Sequence, residues 1–153
     1  METEAVVEAL EGFRRAGFLE AVLTGIHLGR YGADLDPRSD LKALLGRIGR
    51  QALPLRVRLS SLEPDEVDKA LLDLVASGPQ VCNHLHLAMQ SGDDRVLARM
   101  KRRYTASAFA GVVEAARRRM PDAAIGADVL VGFPGESRDA FDRTRDLIES
   151  LPL

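Results

Sequence analysis

The residues able to do chemistry in this chain recur at intervals of two. Arg56, Arg58 and Ser60 alternate with apolar neighbours, and so do His84 and His86, with Gln90 just beyond. Glu20 and Thr24 bracket a third such stretch, and Gly126 and Asp128 mark a fourth. Successive side chains of an extended strand point to opposite faces, so each polar set shares one face. What these sets offer is charge pairing and hydrogen bonding. Metal ligation is poorly provided for, because zinc takes three or four ligands and His84 and His86 have no cysteine, histidine or carboxylate partners at matching spacing. They read better as a hydrogen-bonding wall. Cys82 is the only cysteine; it excludes an internal disulfide framework and reads as a small apolar residue.

A second group of candidates lies where these stretches stop. Thr24-Gly25, Ser60-Ser61, Gln90-Ser91-Gly92 and Gly132-Phe133-Pro134-Gly135-Glu136 all sit at the ends of apolar runs. In βα folds ligands bind at the carboxyl ends of the strands. Taken alone, the pentapeptide is only a tight turn, with glycines free to adopt positive φ and a proline fixing the bend. Four small or polar strand ends on one rim point to a ligand, because a rim without function needs no such chemistry. His27 follows Thr24-Gly25 and faces either the same cleft or an exposed loop. Arg99, Lys101, Arg102 and Arg103 close a helix, where positive charge complements the dipole; their alternative role is contact with phosphate.

The elements that must position these residues alternate between two periods. Helical spacing covers Val6 to Phe13, Leu41 to Ile48, Val67 to Val75 after a start at Pro64, Val96 to Met100, Phe109 to Ala116, and Phe141 to Ile148. Strands are expected over 20–24, 55–60, 84–88 and 125–131. Strands separated by helices imply right-handed crossovers and a parallel sheet. A doubly wound sheet would need strands apolar on both faces. Here one face is apolar (Val57, Leu59, Leu85, Leu87, Val129, Val131) and the other polar. The expected fold is therefore α/β: an incomplete parallel (βα) barrel of four strands, bent so that helices cover only its outside. Arg56 and Arg58 should pair with Glu20 and Asp128 across the hollow. The 153 residues suit one domain, and 46% apolar with 29% charged residues is a globular composition. A net charge of −2 gives no electrostatic argument for nucleic acid or membrane. No apolar run reaches membrane-span length and no signal-peptide layout is present, so a cytoplasmic protein is expected.

At this point the motifs resemble a known family, the radical S-adenosylmethionine (SAM) methylthiotransferases. The resemblance is carried by Leu23 to Gly32, Arg58 to Pro64, Cys82 to Leu87, Gln90-Ser91-Gly92, Met100 to Thr105, and Asp128 to Glu136. Within the family, the Ser60-Ser61-Leu62-Glu63-Pro64 and Thr24 to Gly29 segments look like the branch acting on N6-threonylcarbamoyladenosine in tRNA. The resemblance implies a partial (βα)6 barrel in which a [4Fe-4S] cluster cleaves SAM to a 5′-deoxyadenosyl radical. That radical activates C2 of adenosine 37, and a methylthio group is installed. It also implies cofactor contacts: Thr24 and Gly25 at the methionine amino end, Ser60, Ser61 and Gln90 at ribose or carboxylate, and Asp128 and the Gly132 to Glu136 turn, with Gly132 and Phe133, near adenine; Ser91 is counted among the cofactor-binding residues. One departure is Ala88-Met89, where a proline is usual; another is Asp93 for a common serine, which caps a helix equally well.

The family's cluster is held by a Cys-x3-Cys-x2-Cys loop after the first barrel strand, and Cys82 alone cannot supply those thiolates. The chain is accordingly expected to be the central piece of such a protein, or a gene read from a wrong start. It would lack the cluster loop, the N-terminal domain and the C-terminal RNA-binding domain, and be inactive by itself. Without its first strand it should expose a sheet edge. The alternative expectation is a non-catalytic half-barrel that keeps affinity for SAM or RNA only.

Overall fold

A computed structural model describes all 153 residues. In chain order the elements are α1 (Thr3–Arg15), β1 (Glu20–Leu23), α2 (Leu41–Gln51), β2 (Arg56–Leu59), α3 (Lys69–Ser77), β3 (His84–Gln90), α4 (Asp94–Arg99), α5 (Ala106–Arg119), β4 (Ala124–Val129) and α6 (Arg138–Ser150). Single 3-10 turns occupy Leu28–Arg30 and Pro64–Glu66. This is the expected alternation, and most of its helix starts are written in side chains. Asp40, Asp68, Asp93, Thr105 and Ser137 each accept a backbone N–H of the first turn they precede, which is typically worth about 1 kcal/mol per cap.

All strand pairs are parallel. β1 runs beside β2 from Glu20↔Arg56 to Leu23↔Leu59, and β3 beside β4 from His84↔Ala124 to Gln90↔Val129. β2 and β3 meet only through bridges at Val57↔Val81 and Leu62↔Leu87, so the sheet opens between its two halves. Helices cover one face alone. There Val57, Leu59, Leu85, Leu87 and Ile125 join Leu10, Leu44, Ile48, Val75, Phe109 and Val113 in one buried cluster of 26 residues. The other face carries the polar columns and has no helix on it, as an incomplete barrel requires. No helix is long and apolar enough to cross a membrane.

Two local expectations fail for identifiable reasons. The helix read from Pro64 to Val75 is broken: a 3-10 turn ends at Glu66, Val67 adopts φ −100° and ψ 95°, and a new helix begins behind Asp68. Asp68 competes as a cap, accepting from Leu71 N–H while holding Lys42 Nζ at 2.7 Å, and Val67 is drawn into the core. The last strand stops at Val129, not Val131. The pairing shifts register between Ala88 and Gln90, where Gln90 takes φ 61°. Leu130 N–H donates to Gln90 O beyond the end of the strand. Val131, assigned to the packed face, is 63% exposed, and Leu130 51%.

The turn after β3 is seated against α6. Gly92 lies so close that a Cβ there would meet Thr144 Cα at 2.6 Å and Arg143 O at 3.0 Å, both backbone atoms. Gly111 in α5 has nothing within 4 Å of the same position. Gly92→Ala is therefore expected to destabilise the fold by about 1–3 kcal/mol, and Gly111→Ala to stabilise it by roughly 0.5–1 kcal/mol. Urea denaturation of the two variants checks the opposite signs.

Candidate functional site

The polar columns converge. Glu20 on β1 receives the guanidinium of Arg58 on both oxygens, Nε at 2.7 Å and NH2 at 3.2 Å, and Arg56 NH2 at 3.0 Å. The Cys82 thiol points at the same carboxylate from 3.6 Å. On the other half of the sheet, His86 Nε2 lies 2.9 Å from Asp128 Oδ1, and the His84 ring sits beside that of His86 with centroids 6.4 Å apart. One expected pairing is corrected: Glu20 takes both arginines, and Asp128 takes His86. Strand order decides this, because β2 neighbours β1 and β3 neighbours β4. His86 is registered opposite Gly126, whose missing Cβ would stand 3.4 Å from His86 Nδ1. The ring thus has room to reach the carboxylate two residues on.

The hollow is electrostatically ordered. The hydrogen bond from Arg58 holds the Glu20 carboxyl below its ordinary range, against partial desolvation. Burial first, then the charge of Arg58 and the proximity of His86, pushes the His84 imidazole down, with Glu20 opposing. His84 Nδ1 is buried without a hydrogen-bond partner.

The rim residues form a continuous edge. Ser60 N–H donates to Leu23 O, Ala88 N–H to Leu62 O, and Leu130 N–H to Gln90 O, linking the ends of all four strands. Thr24 and Gly25 are exposed on it, Ser60 and Ser61 half-buried, and Asp128 and Gly132 exposed. Gln90 is buried at the bulge. Ser91 is fully buried. Its hydroxyl sits 3.2 Å from Thr144 Oγ1 and accepts the Asp93 N–H at 3.1 Å, so it ties the turn to α6. The glycine-proline turn is clamped from α4. Gly132, at φ 75°, donates its N–H to Glu136 Oε2 at 2.6 Å. Arg99 donates to the carbonyls of Pro134 and Gly135 and lies 5.7 Å from the centre of the Phe133 ring.

Sequence reasoning missed four participants. Arg99 was grouped with a basic helix end, and nothing in its spacing shows that it reaches residues 133–135. Thr144 was one polar position in a helix. Leu130 and Val131 were placed in the packed strand, whereas they form an exposed apolar wall at the rim. His27 lies in an exposed loop, its Nδ1 3.9 Å from Glu66 Oε1. No group of three or more His, Cys, Asp or Glu side chains is placed to hold a metal ion. Cys82 is buried just before β3, at the end of the sheet opposite the rim. The residues present do not fit an iron–sulfur cluster.

Comparison with known proteins agrees with this geometry. The model of the Radical SAM superfamily matches residues 1–148. A threonylcarbamoyladenosine tRNA methylthiotransferase of Thermotoga maritima is 42% identical over 88% of this chain and 31% of its own length. Its Bacillus subtilis counterpart is 35% identical over 97% and 33%. A tRNA-2-methylthio-N(6)-dimethylallyladenosine synthase of Frankia alni is 43% identical over 94% and 28%. The chain thus spans about a third of the length of these relatives. Among solved structures, the radical SAM methyltransferase TsrM of Kitasatospora setae, determined with tryptophan and a SAM analogue, superposes with a TM-score of 0.80 at 21% identity, over 99% of this chain and 29% of that one. The chain belongs to the radical SAM superfamily, and the curated relatives it matches there are tRNA methylthiotransferases.

The state of His84 yields a pH prediction. Its folded pKa lies below the ordinary 6.5, so the unfolded chain takes up the proton first. Its contribution to stability is whole above about pH 6.5 and is lost as pH falls toward the lowered folded value. His84→Asn should flatten the decline in urea midpoint between about pH 7.5 and 5. A wild-type curve no steeper than the variant's would sink the assignment.

Proposed function

We propose that this chain is the central part of a radical SAM enzyme that methylthiolates C2 of N6-threonylcarbamoyladenosine at position 37 of tRNA. The observation that carries the reading is the polar hollow under one continuous rim of ligand-type strand ends, in a chain whose relatives are named for that chemistry. Relatives acting on threonylcarbamoyladenosine and on dimethylallyladenosine are equally similar, at 42% and 43% identity. The choice between them rests on the Ser60 to Pro64 and Thr24 to Gly29 segments. The reading sets the protein in the cytoplasm with tRNA as its partner.

SAM, when bound, supplies the radical and methyl-transfer chemistry. The rim fits it. Exposed Thr24 and Gly25 stand where the methionine amino end would lie, and Ser60, Ser61 and Gln90 where ribose and carboxylate would. Asp128, Gly132 and Phe133 would flank the adenine, with exposed Leu130 and Val131 available as its apolar wall. Ser91 acts through its grip on Thr144, keeping the Gln90 bulge in place. Below, the Arg58–Glu20 and His86–Asp128 pairs hold the hollow's charges in fixed orientations. The [4Fe-4S] cluster of the family must take its ligands from outside these residues. That favours, for the chain alone, the narrower reading of a half-barrel that binds SAM without turning it over.

Two experiments test this. Deleting the gene in its source organism should abolish 2-methylthio-N6-threonylcarbamoyladenosine in tRNA nucleoside digests, with the isopentenyladenosine counterpart unchanged; the reverse pattern reassigns the substrate. Anaerobic reconstitution of the chain alone should leave iron and sulfide at background. Titration calorimetry of the same chain should give a saturable heat with SAM that Gly132→Val removes, because a β-branched residue is strained at φ 75°. Stoichiometric iron would overturn the ligand argument, and flat heats would overturn the rim.

A further inference from the structure

A cleft of about 200 Å³, lined by no apolar residue, opens on the strand-end rim among three consecutive segments. These are the 3-10 turn after β1, the 3-10 turn after β2, and the end of α4. Two ion pairs build its frame: Arg102 NH1 to Glu63 at 2.5 Å, and Arg30 Nε to Glu66 at 3.4 Å. Glu63 and Glu66 also cap the turn they belong to, so the framing carboxylates are committed. Lys101 and Arg103 are exposed and have no ion-pair partner, against a single unpaired carboxylate, Asp65.

Two further features mark the cleft as built for an anion. Lys101 sits at φ 59°, the left-handed position after a helix that glycine usually fills. Holding a long cationic side chain there carries backbone strain, which concentrates at functional sites. Arg102 Nε is buried and has no acceptor, although its NH1 is engaged. The cleft therefore holds two free cations and an orphaned donor.

We propose that this cleft seats a phosphate of the RNA backbone, with Lys101 and Arg103 as the contacting cations and Arg102 holding the frame through Glu63. The inference rests on the tRNA reading and adds to it a subsite outside the cofactor rim. A nucleotide whose base enters the hollow must lay its backbone across the strand-end rim, where the cleft lies. With a net charge of −2 over the chain, a polyanion is attracted where cations are locally in excess, as they are among the residues lining this cleft. Contacts of this kind position the substrate without reading its sequence.

The test is binding of a fluorescent anticodon stem-loop RNA to the full chain, followed by anisotropy over a range of salt. The double variant Lys101→Asn/Arg103→Gln removes both charges, and asparagine tolerates the left-handed backbone. Circular dichroism and the urea midpoint check that it folds. The variant should bind at least about fivefold more weakly at low salt, with the salt slope reduced by about one, as the loss of one phosphate contact requires. Arg50→Gln/Arg118→Gln removes the same net charge at the C-termini of α2 and α5, at the opposite end of the sheet, and should leave both values unchanged. An unchanged slope in the cleft variant, with wild-type binding intact, overturns the cleft and leaves the tRNA reading standing. Equal losses in both double variants show net charge alone at work and also overturn it. So does displacement of the RNA by millimolar inorganic phosphate, which would assign the cleft to a free anion. No saturable binding by the wild-type chain at low salt overturns it as well.

Discussion

Between β1 and β2 one carboxylate accepts two guanidinium groups, and the open polar face of the sheet depends on pairings of this kind. A sheet with helices on one side only must present its other face to water or to a ligand. Charges gathered on such a face need partners, because a half-desolvated charge left unpaired is costly. Glu20 supplies that partner to Arg56 and Arg58 and takes the Cys82 thiol as well. His86 and Asp128 do the same on the second half of the sheet. With the carboxylates of both halves paired, the polar face needs no covering helix, and every helix can pack on the apolar side.

The rim is governed by a different constraint, the departure of β3 and β4 from regular pairing. The bulge at Gln90 ends the ladder early and turns Leu130 and Val131 outward. It also delivers Ser91 and Gly92 to α6, where Thr144 receives both the serine hydroxyl and the glycine N–H. Arg99 then fixes the Phe133 to Gly135 turn from the other side. A ligand at this edge would meet a surface set before it arrives, since little of the turn is free to rearrange. Preorganisation of this kind lowers the ordering cost of binding.

Membership of the radical SAM superfamily and a one-sided four-stranded sheet agree with each other. Family motifs and strand ends coincide along the rim, and the Gly132 to Glu136 segment is a tight turn on that edge. The chain itself carries paired charges below, small and polar groups above, and exposed Lys101 and Arg103 at one shoulder. Iron ligation is not among its means, because the sole thiol is buried against a carboxylate at the far end of the sheet.

Much of this was legible before any coordinates, because it follows from short-range rules. Period-two and period-3.6 patterns located the four strands and six helices, and Asp93 announced a helix start through its cap. The polar columns were visible as alternation, since a strand must send Arg56, Arg58, His84 and His86 to one side. Other features needed the folded chain. Alternation gives the face of a residue but not its neighbour, so the partner of Asp128 was settled by strand order and by the empty space at Gly126. The bulge at Gln90, the break at Val67 and the reach of Arg99 to the turn at 133–135 depend on contacts between segments far apart in sequence. Local propensity has no term for such contacts, and only tertiary packing decides them.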